Sequence, residues 1–330
     1  MSGYNNRNLL KFDSSLGAVD RKHKTMFTRR EDKIKAVLYG IAAVVCVVVL
    51  ILIGKGIAAI CVSITEVPDS AEKIVEEKPV VYDDTDSLLL LTVKVNDSGV
   101  PEHLVLTRFE PSEDAVYVTP LPTELYVGDG TLAEHYNAGG AADCAAAAAK
   151  YVGAAGACYY IINYSGVKSL VTEFHGVIFE LPCNVKYTDP TDVRKSVNVA
   201  AGKRRYEGGE TARILNCPVW PEGVEQHRLM YARVFSGLIN ENLTPDREKK
   251  IELLYGRAEP HGRTDANADV LQRCYEGFSH LAAANTEGSV ARVITVDLVV
   301  GENGKMTCTD ESFEQLAALY GDRNISEEAE

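Results

Sequence analysis

Several motifs that would assign a chemistry at once are missing from this chain. No two cysteines form a C-x-x-C pair, so the usual zinc spacings are absent. The seven histidines fall singly, without an H-E-x-x-H, which excludes the common metalloprotease pattern. There is no G-x-S-x-G for a serine-hydrolase elbow, and no Walker-type or dinucleotide-binding glycine motif. Asp265-Ala-Asn267-Ala-Asp269 superficially matches a calcium loop, but Val270 stands where the sharp turn demands glycine. A helix start capped by Asp or Asn is the better reading there.

What the chain does have is a sharp division of charge and hydropathy. Residues 1–35 carry nine Lys/Arg against four acidic residues, and residues 36–64 are strongly apolar. From Ala36 to Gly54 no charge occurs, which gives ~28 Å of helix against ~30 Å of hydrocarbon. Lys55 can snorkel, so the span extends past it with some tilt. The reading is one transmembrane helix with a cytoplasmic N-terminus and residues 65–330 outside. A cleaved signal peptide fits less well, because the polar leader is long and no convincing small-x-small site follows.

The overall charge of −13 hides this split, since 25 basic and 43 acidic residues remain beyond residue 35. Such an acidic outer part argues against nucleic acid as a partner. Six of the eight cysteines lie in it, and Cys144 and Cys158 sit in Ala-rich or strand-like surroundings that suit buried thiols.

Residues 65–86 are acidic with two prolines and read as a stalk. Strand-like runs follow at 88–95, 102–109 and 114–119, then a Gly/Asp loop and an Ala-rich helix over about 138–152. A strand at 157–163, a helix at 165–174 ending in His175-Gly176, and a strand at 177–181 come next. Helical periodicity returns over 207–216, 224–242 and 266–283. A closing strand over 292–300 turns into 306–309, and a last helix covers 311–320. Alternating strands and helices predict an α/β layered domain over 87–322, an α/β/α arrangement around a central mixed sheet, with a frayed tail at 323–330.

The order of several segments resembles the extracellular domain of the LytR–CpsA–Psr family. The longest such stretch is YYIINYSGVKSLVTEFHGVIFELP (159–182), with Gly166, Leu170, Val171, Gly176, Val177 and Pro182 at the family's positions. LPTELYV (121–127), HYNAGG (135–140, with Asn137), YEGGETARILNCP (206–218) and GRTDANADVL (262–271) fit further family segments. The resemblance implies a single-pass cell-envelope protein. It also implies transfer of polyprenyl-pyrophosphate-linked glycopolymers onto the peptidoglycan, with Mg²⁺ as the metal cofactor.

The residues that this chemistry needs are altered. A pyrophosphate site calls for guanidinium groups, which bind phosphate oxygens in bidentate fashion. Thr123 stands where one family arginine belongs, and Asn216 and Pro218 replace two more. Each lost charge-assisted bond costs roughly 1.5–3 kcal/mol. Glu102 and Glu124 replace metal-binding Asp residues; by this resemblance they are the candidate catalytic and Mg²⁺-holding carboxylates, but the longer Glu side chain would displace a site built for Asp, and relics or surface carboxylates are the preferred reading. Arg108 and the run Lys203-Arg204-Arg205 are candidate replacement cations, the run reading otherwise as a solvated turn. Asn137 and Asn216 complete the candidate ligand-binding set.

Two features have competing readings. The Ala run 141–157 either leaves room for a lipid tail or lets a helix press close to its neighbour, and close packing is preferred. Tyr159, Tyr160 and Tyr164 line a groove or fill a core, and core is preferred. The expectation is a catalytically degenerate relative that binds a polyprenyl-linked or cell-wall ligand. The alternative is an active phosphotransferase.

Overall fold

The computed structural model describes residues 82, 86–301 and 303–322. The basic tail, the apolar segment 36–64, nearly all of the stalk and the tail 323–330 lie outside the described residues. Among the described residues, no helix is long and apolar enough to cross a membrane.

The chain opens with β1 (Leu88–Val95), β2 (Pro101–Glu110) and β3 (Ala115–Leu121), followed by short β4 (Tyr126–Val127) and β5 (Gly130–Thr131). Then come α1 (Leu132–Tyr151), β6 (Cys158–Ile162), α2 (Tyr164–Glu173), β7 (Val177–Leu181), β8 (Val185–Tyr187), β9 (Val197–Val199) and β10 (Gly202–Tyr206). Helices α3 (Gly208–Leu215), α4 (Val224–Asn242) and α5 (Ile251–Ala258) precede β11 (Arg263–Thr264). The last elements are α6 (Ala268–Arg273), α7 (Tyr275–Ala284), β12 (Ala291–Val293), β13 (Leu298–Val300), β14 (Met306–Cys308) and α8 (Asp310–Tyr320).

Six strands form the central sheet in the order β11-β6-β1-β2-β3-β12. β1, β2 and β3 are an antiparallel meander, while β6 runs parallel to β1 and β12 parallel to β3. The sheet is therefore mixed, as the alternating elements predict. Successive side chains of a strand point to opposite faces, and here each face is buried in its own core. Leu89, Leu91 and Val93 of β1, with Leu104 and Leu106 of β2, pack with Ala145, Ala148, Leu316 and Tyr320 of α1 and α8. Val105, Val116, Val118 and Tyr160 face a larger core that includes Leu170 of α2, Ile214 of α3, Tyr231 of α4 and Leu281 of α7.

Helix α1 begins six residues before the Ala-rich segment suggests. Thr131 and Glu134 form a capping box that starts the helix, and Gly140 (φ 77°) kinks it. Ala141, Ala145, Ala148 and Ala149 are all buried against the sheet. The small side chains serve close packing, as preferred from the sequence. Asn163 caps α2 by accepting from Gly166 N–H at 2.8 Å, and the helix gives way to His175 (φ 60°) and Gly176 (φ 92°).

Three sequence expectations are corrected. The pattern over 266–283 is two helices, α6 and α7, that meet at Cys274. Residues 292–300 are two strands in different sheets, because Ile294 and Val296 leave the sheet edge to pack into the α1/α8 core. Lys203–Arg205 lie in strand β10, paired with β7, where a turn was expected. The six cysteines of the described residues are all free thiols, and Cys144, Cys217, Cys274 and Cys308 are buried.

Candidate functional site

Beneath the larger core face of the sheet lies an apolar cavity of about 270 Å³. Leu90 and Thr92 of β1, Phe109 of β2 and Tyr160 of β6 form its floor, and Phe235 of α4 and Phe278 of α7 are among the helical residues over it. No residue of the Ala run lines it. Tyr160 both belongs to the core and lines this cavity, its hydroxyl donating to Ala258 C=O at 2.9 Å.

One step further along the same face of β1 the chemistry changes. Lys94 follows Leu90 and Thr92 at the alternating position and is only 3% exposed. A buried ammonium must be paired. Lys94 Nζ donates to Asn216 Oδ1 at 2.7 Å and to the Glu102 carboxylate. Asn216 is fixed by its place at the C-cap of α3, whereas Glu102 sits on the rim with 38% of its side chain exposed. Asn96, Asp97, Ser98, Tyr164 and Lys195 join Glu102 and Asn216 in lining a polar pocket. Lys195 Nζ lies 3.5 Å from Asp97 Oδ2.

Aromatic side chains back this pocket. His103, opposite Lys94 in the β1–β2 ladder, stacks on Tyr231 at 4.1 Å between ring centroids. His227 stacks on Trp220 at 4.7 Å, and its Nε2 donates to Leu215 C=O at 2.9 Å. Burial, helped by the charges of His227, Lys94 and Arg228, pushes the His103 imidazole down to about 2. Burial lowers His227 to about 4 against the opposing pull of the Leu215 carbonyl. Burial thus favours the neutral form of both rings, and the positive charge comes from Lys94 and Arg228 beside them and from Lys195 at the pocket wall. Burial also lowers the pKa of Arg228, against which Glu124 and Glu225 act.

The structure brings Glu102 and Asn216 together, through Lys94, and leaves the other sequence candidates elsewhere. Arg108 lies away from the polar pocket. It pairs with Leu89 rather than with the Lys94 end of β1, a separation of roughly 17 Å at strand rise. Its alternation places it on the α1/α8 face, where Nε donates to Glu110 and Nη1 to Asp322, each at 3.2 Å. Arg204 is bound to Glu210 at 2.9 Å and lies over the Tyr206 ring at 4.0 Å, and Arg205 pairs with Glu241 at 2.6 Å. Lys203 is exposed on the same strand. None of the three lines the polar pocket. Asn137 is exposed on α1 and does not line it either.

The carboxylates do not fit Mg²⁺. A hard divalent ion needs several converging oxygens. Glu102 gives its carboxylate to the Lys94 ammonium, and Glu124 is exposed near Arg228. Among the described residues no group of three or more His, Cys, Asp or Glu side chains is placed to hold a metal ion. Asp265 accepts from Tyr159 N–H at 2.7 Å, and Asn267 caps α6 through Asp269 and Val270 N–H, as the reading of a helix start predicts.

Sequence reasoning passed over Lys94, Lys195 and Arg228. Lys94 did leave a signal: a single charge inside LLLLTVKV, at the carboxyl end of a strand and just before a loop. Ligands in open α/β sheets bind at that end.

The mixed sheet with helices on both faces, an apolar cavity under one face and a separate polar pocket near the carboxyl end of β1 make an α/β domain similar in fold to a LytR-Csp2A-Psr enzyme. Three solved structures similar to this chain share its fold. TagV from B. subtilis matches with a TM-score of 0.57 and 13% identity over 71% of this chain and 95% of its own. The LytR-Csp2A-Psr enzyme from Actinomyces oris matches at 0.52 and 15%, over 74% and 93%. A proposed transcription regulator from Eubacterium siraeum matches at 0.64 and 13%, over 76% and 98%. No family model matches the sequence, and neither does any curated protein. At these identities the likeness establishes the fold, and the resemblance seen in the sequence holds at that level.

Proposed function

We propose that this protein is a cell-envelope binding protein for a polyprenyl-linked ligand, anchored by residues 36–64 with its α/β domain outside the membrane. It holds the apolar chain in the cavity and the anionic head at the Lys94 pocket. The observation that carries this reading is the continuity of one strand face. Leu90 and Thr92 line an apolar cavity, and Lys94, the next residue on that face, supplies a buried cation. An amphiphile with an anionic end matches that sequence of environments.

The scattered placement of Arg108, Arg204 and Arg205, each already paired with carboxylates, favours binding over phosphotransfer. A transfer reaction on a pyrophosphate would need several cations aimed at the phosphoryl oxygens where charge develops. This site instead offers two ammonium groups, Lys94 already bonded to Glu102 and Asn216, and Lys195 paired with Asp97. The carboxylates that the resemblance assigns to Mg²⁺ are engaged as described above.

The test is lipid extraction from the full-length protein purified from its native membranes, followed by mass spectrometry. A stoichiometric isoprenoid phosphate or isoprenoid-linked glycan is expected. Recovery of bulk phospholipid alone would overturn the reading. Incubation with polyprenyl pyrophosphate and Mg²⁺ tests the transferase alternative: phosphate release that disappears in Glu102→Ala would favour the enzyme.

A further inference from the structure

Resting on that lipid-binding reading, we infer that Glu102 is a displaceable internal counter-ion of Lys94, so that the site takes an anionic headgroup by exchange of carboxylates for phosphate and without a metal. Three observations carry it. Lys94 is 3% exposed and Asn216 is held by the end of α3, so the ammonium and one of its two partners are fixed. Glu102 alone of the three is on the rim, with 38% of its side chain exposed, and can turn to solvent. The pocket that it lines also holds Asn96, Ser98, Tyr164 and Asn216, which offer amide and hydroxyl donors to phosphate oxygens once the carboxylate has moved, and Lys195, which is paired with Asp97 at 3.5 Å.

The charge count explains why no divalent ion is needed. A metal in this class of site would bridge carboxylates to phosphate oxygens. Here a cation already sits behind two of the pocket's lining residues, Glu102 and Asn216, bonded to the same carboxylate that a metal would use. A divalent ion placed on that carboxylate meets like-charge repulsion from the ammonium. The phosphate therefore competes with Glu102 for the Lys94 ammonium, with Lys195 at the pocket wall already paired with Asp97, and the protein's own carboxylates set the affinity. Ligand entry is disfavoured until it offers more charge or more hydrogen bonds than Glu102 does.

The experiment uses the full-length protein and two probes, farnesyl diphosphate and the uncharged alcohol farnesol, titrated calorimetrically in EDTA or in Mg²⁺. Expected is tighter binding of the diphosphate than of the alcohol, with equal affinities in EDTA and Mg²⁺. Glu102→Gln is expected to tighten the diphosphate about tenfold and to leave farnesol unchanged. Asn216→Asp, which adds a second carboxylate to the ammonium, is expected to weaken the diphosphate by a similar factor. Lys94→Met is expected to remove the preference for the diphosphate altogether. Should its buried change prevent folding, the Glu102 and Asn216 variants decide the matter by themselves.

Diphosphate binding that requires Mg²⁺, or that is lost in Glu102→Gln, overturns the exchange and restores a metal site. Farnesol and diphosphate binding alike, unmoved by any of the three variants, overturns the inference while leaving the lipid reading intact. No binding of either probe overturns the lipid reading itself.

Discussion

Arg108 illustrates how burial changes the meaning of a charged side chain. At 3% exposure, and bonded to Glu110 and Asp322, it holds together the end of the sheet remote from the polar pocket. Removing one partner of a buried pair leaves the other charge uncompensated, which costs about 3–5 kcal/mol. Arg108→Ala is therefore expected to lower the urea midpoint strongly while ligand affinity in the surviving folded fraction stays unchanged. A loss of affinity without loss of stability would place Arg108 in the site after all. His227 makes a pH-dependent contribution. Its folded pKa, about 4, lies below the unfolded value of about 6.5, so between these values the unfolded chain binds more protons. Stability is then fully present above pH 6.5 and falls as pH drops towards 4, by up to about 1.4 kcal/mol per pH unit. Denaturation series at several pH values should show a shallower acid slope in His227→Gln than in the parent. At this scale the sequence yielded Glu102 and Asn216 through family positions. It could not yield Lys94 as their common partner, because 122 residues separate Lys94 from Asn216.

Elements were legible where a local signal existed. The 224–242 periodicity matches α4 residue for residue, and the His175-Gly176 stop ends α2. Gly176 is needed on two counts, a φ of 92° and a Cβ that would stand 2.9 Å from Tyr206 C=O. Gly176→Ala is expected to cost about 1–3 kcal/mol in thermal or chemical unfolding. An unchanged stability would mean that β7 and β10 can shift at no cost. Elements were illegible where tertiary context decides. Helix α5, at eight residues, and strands β8 and β9, at three each, are too short for their patterns to stand out, and the break between β12 and β13 comes from Ile294 and Val296 turning into the second core. Helix α1 shows the limit of composition: alanine spacing reveals a close approach, not which sheet face is approached. Ala145 is fully buried there. Ala145→Leu should overpack that face and destabilise by roughly 1–3 kcal/mol. The same variant should bind lipid normally, because the cavity lies on the other face.

For the whole molecule, the sheet is a partition. One core lies under α1 and α8, and the other, on the opposite face, contains the cavity. Filling the cavity tests this division. Ile239→Trp, which projects an indole from α4 into the space, is expected to abolish isoprenoid binding with little loss in melting temperature. Retained binding would show that the ligand lies elsewhere.

The second residue after α8 ties distant parts of the chain. Asp322 takes Arg108 on one oxygen and Ala155 N–H on the other, so a position past the last helix latches β2 to the α1–β6 connection. Recombinant versions trimmed upstream of this aspartate are thus expected to fray from the sheet's far corner and to be clipped by proteases near residue 155. Those trimmed just beyond it should stay intact.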